Sequence, residues 1–110
     1  MKKKVELITL ERVLEMRENG EPFKLVEVLP EKSFREGHIP DAINIPVERL
    51  DTEAPRYLGK RDNVIVYCGG FACTASTEAA RKLRELGYRH TWDFKAGKEG
   101  WQHAGLKLAA

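Results

Sequence analysis

The chain has 110 residues, 42% hydrophobic and 33% charged, a composition that excludes a disordered polymer and predicts one domain over residues 1–110, with a core that needs no disulfide staples. Its 19 basic and 17 acidic residues leave a net charge of +2 with the signs interleaved, so charge makes no case for nucleic acid or a membrane surface as partner. "MKKK" begins like a secretory leader, but charges run through "VELITLERVLEMRENG", where a leader needs an apolar run, and no stretch is long enough to span a membrane.

These features predict a cytoplasmic protein, and with it two free thiols rather than a structural disulfide. Along the chain, "VELI" (Val5–Ile8) reads as a short strand. Thr9 is an N-cap candidate for a helix over Leu10–Asn19, with Leu10, Val13, Leu14, Met16 and the Arg17 stem on one face and Gly20 as its stop. "FKLVEVL" (Phe23–Leu29) is a strand halted by Pro30. "EKSFREG" is one or two helical turns closed by Gly37, and "AINIP" (Ala42–Pro46) is another strand. The segment "VERLDTEAPRYLGKRDN" predicts a short helix and then irregular backbone around Pro55 and Gly59.

"NVIVYC" is apolar on both parities, as expected of a central strand covered on both faces. Beyond it, Ala79, Ala80, Leu83 and Leu86 recur at helical spacing until Gly87, "RHTWDF" is strand-like, and "GKEGWQHAG" is a short helix with Trp101 turned inward. The alternation predicts an α/β domain with a mainly parallel sheet. Ligands of such sheets bind beyond the carboxyl ends of the strands, and that is where Cys68 falls.

A cysteine acts as a nucleophile in its thiolate form, which a helix N-terminus favours. The order strand, Cys68, Gly69, Gly70, Phe71, Ala72, Cys73, then Thr74 or Ser76 as N-cap directs loop amides to the sulfur, and positive φ at Gly69 and Gly70 would form an anion-holding nest. A cysteine at the end of a core strand can equally be a small buried hydrophobe. Phosphate-ester hydrolysis by such a loop calls for an arginine six positions after the cysteine. That position is Thr74, and no Arg or Lys occurs from Cys68 to Ala80. Cys73 stands five residues after Cys68, outside the CxxC spacing. Three roles stay open for it: a packed loop residue, a resolving thiol that pairs reversibly with Cys68, or a metal ligand. The two cysteines with His38, His90 and His103 make no zinc spacing.

Three ordered segments resemble the single-domain rhodanese-like (sulfurtransferase) family: "LVEVLPEKSFREGHIPDAINIP" (Leu25–Pro46), "VIVYC" with the helix carrying Ala79, Ala80, Lys82, Leu83, Leu86, Gly87 and Tyr88, and "KAGKEGWQHAGLKL" (Lys95–Leu108). The resemblance implies an α/β rhodanese-like three-layer fold, a central, mainly parallel sheet flanked by helices, and transfer of sulfane sulfur through a Cys68 persulfide, from a donor such as thiosulfate to a thiol, cyanide-like or protein acceptor. It implies Gly69, Gly70, Phe71, Ala72, Cys73 and Thr74 as the loop that cradles the sulfur, and no cofactor or metal.

The chain departs from the family pattern at Glu27-Val28-Leu29 in place of Asp-Val-Arg, at Asp41 and at Ala96, each in place of glycine, and in a loop one or two residues longer that carries no base. A dianionic donor would then rely on loop amides and on charges from elsewhere, such as Arg35 or Lys95. The alternative expectation is a thiol-redox or regulatory binding module that uses the Cys68/Cys73 pair; a third makes the cavity a docking site for a partner protein. His38 and Glu27 are expected to make structural hydrogen bonds, Trp92 and Trp101 to pack, and Phe71 to form an apolar lip.

Overall fold

In a computed structural model that describes residues 4–110, eleven elements alternate along the chain; the first three residues of the lysine-rich start lie outside the described residues. Strand β1 (Glu6–Leu7) leads into α1 (Leu10–Glu18), where the Thr9 side chain accepts the Arg12 amide at 3.1 Å as the predicted N-cap. Gly20 follows the helix with φ +69, the left-handed conformation that lets a chain leave a helix sharply. Then come β2 (Lys24–Glu27), α2 (Glu31–Glu36) and β3 (Ile43–Asn44).

The middle segment is more regular than its sequence predicts. A 3-10 turn (Val47–Arg49) runs directly into α3 (Leu50–Tyr57), which continues through Pro55. Leu50, Ala54 and Leu58 recur every fourth residue and are all buried in the core, and this apolar stripe offsets the roughly 3 kcal/mol that a proline costs inside a helix. The chain closes with β4 (Val64–Tyr67), α4 (Ala75–Glu85), β5 (Thr91–Asp93) and α5 (Gly97–His103).

The five strands form one sheet in the order β1-β5-β4-β2-β3, with every pairing parallel. β4 is the middle strand, which explains a sequence apolar on both parities. Val64, Val66 and Cys68 face one cluster with Ala79, Ala80 and Leu83 of α4 and Leu50 of α3. Ile65 and Tyr67 face the other, with Val13 and Met16 of α1 and Trp101 of α5. The result is the parallel α/β sheet that the alternation predicts, in the three-layer arrangement that the resemblance implies. Chain order reverses at β4: the strand before it in sequence, β3, lies on one side of it beyond β2, and the strand after it, β5, lies on the other. Cys68, one residue beyond β4, therefore stands at the switch point where open α/β sheets bind ligands.

Two departures from the family pattern acquire a geometry. Ile39-Pro40-Asp41-Ala42 is a turn closed by the Ala42 amide on the Ile39 carbonyl at 3.1 Å, with Asp41 at φ 73, a conformation that favours glycine. At the other end, Ala96 has ordinary helical backbone and Gly97 carries φ +57, so the glycine that the chain retains is the one its backbone requires. Among the described residues, no helix is long and apolar enough to cross a membrane.

Candidate active site

The loop that follows β4 is held from three sides. α5 meets it end on: the Lys98 amide donates to the Cys68 carbonyl at 3.0 Å and the Glu99 amide to the Gly69 carbonyl at 2.8 Å. This approach demands glycine at 97, because a side chain there would overlap the Cys68 carbonyl. Gly70 is buried beneath the Glu99 side chain, which occupies the space a β-carbon would take. The Cys73 amide donates to the Gly70 carbonyl at 3.0 Å, closing the turn that leads into α4.

These contacts correct the sequence reading at three points. Gly69 and Gly70 do not adopt positive φ; among the described residues the glycines that do are Gly20, Gly87, Gly97 and Gly105. The loop is turned by the Gly70–Cys73 hydrogen bond, whose first residue needs no left-handed backbone, so a nest built on those two glycines is absent. The Cys73 amide is occupied by that turn and is no part of a cradle. The amides of Gly69, Gly70, Phe71, Ala72 and Thr74 have no protein acceptor among the described residues. Thr74 is the N-cap of α4, without a side-chain capping bond, and Ser76 is buried in the first turn with its hydroxyl unpartnered.

The third correction concerns the thiols. Cys68 and Cys73 are joined as a disulfide, with Cα atoms 6.4 Å apart, inside the range a disulfide spans. Five residues of separation suffice because the Gly70–Cys73 turn folds Cys73 back over the strand end. In this state Cys68 is 1% exposed.

Two polar networks flank the loop. In the first, Tyr67 Oη donates to Glu27 Oε1 at 2.9 Å and accepts the Ile39 amide at 3.1 Å. Lys98 Nζ lies 3.0 Å from Glu27 Oε2, an ion pair without a well-directed hydrogen bond, and donates to the Ser33 carbonyl at 2.9 Å. Glu27 is fully buried. Burial pushes its carboxyl above the ordinary range, against the lowering effect of Lys98 and Tyr67, and burial beside the carboxylate pushes the Tyr67 phenol up. This is the structural role expected of Glu27.

Lys98→Ala is expected to cost about 3 kcal/mol of stability by urea unfolding, because it leaves a buried carboxyl without its cation. A raised folded-state pKa means stability is lost as pH rises through it. The Lys98→Ala deficit should therefore be small near pH ~4, where glutamate is largely protonated, and grow toward neutral pH. A deficit independent of pH would show that the pair does not govern it.

In the second network, Lys95 Nζ donates to the Cys73 carbonyl at 2.7 Å and to Thr77 Oγ1 at 3.1 Å, and Thr77 Oγ1 donates to Asp93 Oδ2 at 2.9 Å. Asp93 is fully buried. Of the two bases considered as charges from elsewhere, Lys95 reaches the loop, whereas Arg35 is two-thirds exposed and pairs with Glu31 on α2 at 2.6 Å. No sequence pattern singles out Lys98, Thr77 or Asp93, whose roles depend on strand ends that the chain places far apart. His38 Nδ1 bonds the Phe34 carbonyl at 2.8 Å and the two rings stack at 3.8 Å, the structural role expected.

Trp101 is buried, with Nε1 donating to the Lys107 carbonyl at 3.0 Å, and Trp92 is half-buried against the α1 face. Phe71 is 71% exposed and forms one wall of a mainly apolar groove of about 470 Å³, shared with Leu10, Lys95, Ala96 and His103. Among the described residues, no group of three or more His, Cys, Asp or Glu is placed to hold a metal ion.

Residues 9–104 match the rhodanese-like domain family. The chain is 38% identical over 101 residues to an HTH-type transcriptional regulator of Mycobacterium tuberculosis, a match covering 92% of this chain and 43% of the regulator, so the chain spans less than half of that relative. It is 28% identical over 86 residues, 78% of each protein, to a sulfurtransferase of Allochromatium vinosum. Among solved structures, the rhodanese-like domain of an Anabaena protein superposes with a TM-score of 0.85 at 26% identity, covering 97% of this chain and 80% of that one. With its parallel sheet, its cysteine at the end of the central strand and this match over most of its length, the chain belongs to the rhodanese-like family.

Proposed function

We propose that the chain is a sulfurtransferase whose nucleophile is Cys68 in its reduced form. The observation that carries this reading is the placement of Cys68 at the carboxyl end of β4, heading a loop with five amides that have no protein acceptor among the described residues and leading into the N-terminus of α4. Such surroundings favour a thiolate and, after it, an anionic persulfide. The likeness to a sulfurtransferase supports the same chemistry.

The Cys68 thiolate attacks the sulfane sulfur of a donor such as thiosulfate. The donor's S–S bond breaks, sulfite leaves with the electron pair, and Cys68 holds the sulfur as a persulfide. A thiol or cyanide-like acceptor then attacks the outer sulfur and the thiolate is regenerated, so one difficult transfer is divided in two. Because Cys73 covers Cys68 in the disulfide, a thiol reductant must open the pair first.

The test is intact mass spectrometry of the reduced chain carrying Cys73→Ala, in which Cys68 is the one remaining thiol, freed of reductant and incubated with thiosulfate or a low-molecular-weight persulfide. The mass should rise by one sulfur, located on Cys68. No uptake from any such donor would sink the proposal.

The disulfide favours a second reading, a thiol-redox or regulatory module that uses the Cys68/Cys73 pair. The likeness to a transcriptional regulator is compatible with it. A chain that opens and closes the disulfide in a glutathione buffer, yet takes no sulfur from any donor, would favour the module.

A further inference from the structure

We propose that Cys73 discharges the Cys68 persulfide within the chain, releasing its outer sulfur as hydrosulfide, and that Lys95 is the positioning residue for that step. The inference rests on the sulfurtransferase reading and adds to it an internal fate for the sulfur.

The disulfide shows that Cys73 Sγ reaches Cys68 Sγ with the rest of the loop in place. Reach alone would not commit a flexible loop residue to this chemistry, but Cys73 is not held loosely. Its amide is fixed to Gly70 and its carbonyl to Lys95 Nζ at 2.7 Å. Lys95 is fixed in turn through Thr77 to Asp93, a fully buried carboxylate at the end of β5. The Cys73 side chain packs against the same core cluster as Cys68. A strand beside β4 thus anchors the residue that closes over the nucleophile, which is how a second thiol gains a high effective concentration.

The step balances. The Cys73 thiolate attacks Cys68 Sγ, the inner sulfur of the persulfide; a bond forms between the two cysteine sulfurs as the bond to the outer sulfur breaks. The outer sulfur leaves with the electron pair, takes one proton from water and departs as hydrosulfide. The sulfane sulfur is reduced by two electrons and the cysteine pair is oxidised by two, which yields the observed disulfide. Two equivalents of a low-molecular-weight thiol, themselves oxidised to a disulfide, restore both cysteines. Because Cys68 is 1% exposed in the disulfide, the chain accepts no second sulfur until that reduction, and discharge is limited to one sulfur per reductive cycle.

The test uses the full chain, reduced and stripped of reductant, with excess thiosulfate in anaerobic buffer and no added acceptor. Hydrosulfide is trapped with a fluorescent alkylating bimane while intact mass follows the protein. Wild type should release one hydrosulfide per chain and finish two hydrogens lighter than the dithiol. Cys73→Ala should hold its sulfur as a persistent persulfide and release none. Lys95→Met should slow hydrosulfide release, counted per persulfide formed in the same sample, by about tenfold or more, and Lys95→Arg should recover most of it.

Scoring release per persulfide separates positioning from any general loss of structure. Release from Cys73→Ala at the wild-type rate, or a wild-type persulfide that persists with no disulfide formed, would overturn the proposal and leave the sulfurtransferase reading standing. Failure of every variant and of wild type to take up sulfur would overturn both.

Discussion

Cys68→Ser is expected to take up no sulfur from any donor and to lose transfer activity by more than about a thousandfold. A serine hydroxyl is not ionised near neutral pH and holds no sulfane sulfur, so nothing in the loop replaces the missing thiolate. The substitution is close to isosteric, and the buried strand end that carries residue 68 keeps its packing against α4. Stability should fall for a separate reason, the loss of the bond to Cys73. A loop closed over five residues is worth about 2 kcal/mol by chain entropy, and Cys73→Ala should lose the same amount under oxidising conditions. With a reductant present, Cys68→Ser should come within about 1 kcal/mol of wild type in urea unfolding. Full retention of sulfur transfer in a folded Cys68→Ser chain would remove Cys68 from the chemistry.

Gly97→Ala should be nearly as disruptive, although residue 97 makes no contact through a side chain. Its φ of +57 costs alanine about 1 kcal/mol. Its β-carbon would also overlap the Cys68 carbonyl and lie 3.0 Å from the Gly69 carbonyl carbon. These are backbone atoms of the loop and cannot turn away as the end of a side chain would, so overpacking adds about 2 kcal/mol.

The expected total is a loss of about 3 kcal/mol in urea unfolding, with slower sulfur uptake as α5 moves off the Cys68 and Gly69 carbonyls. Gly69→Ala is the control. A β-carbon there meets nothing within 4 Å and the backbone is not left-handed, so its stability cost should stay under about 0.5 kcal/mol. Equal costs at 69 and 97 would show that the α5 approach does not determine the loop.

The strand and helix alternation, the central place of β4 and the position of Cys68 at its end are all legible in the sequence, because each rests on local periodicity. "VIVY" is apolar at every position, and only a strand covered on both faces tolerates that. Thr9 announces α1 by the same local logic, since a cap bonds within its own first turn. The loop geometry is not legible in this way. Two glycines after Cys68 suggested left-handed backbone, yet the glycine with positive φ beside this loop is Gly97, 29 residues further along, and Gly70 answers to the Glu99 side chain above it. Pro55 misled for a related reason: the local cost of a proline is visible in the sequence, and the buried stripe of Leu50, Ala54 and Leu58 that outweighs it exists only once α3 meets the sheet.

By itself, then, the sequence determined the α/β class, the family resemblance and the place of Cys68 at the end of the central strand, all of which follow from residue pattern and order. Tertiary structure decided how that cysteine is held. The sheet order brings the ends of β2, β4 and β5 together, and with them Glu27, Cys68 and Asp93, which are distant in the chain. It places Lys98 on the buried Glu27 and Lys95 on the Cys73 carbonyl, and it folds the turn that joins Cys73 to Cys68. Cysteine pairing, ion pairing and loop anchoring are contacts across space, set by the packing of elements rather than by the residues adjacent to each group.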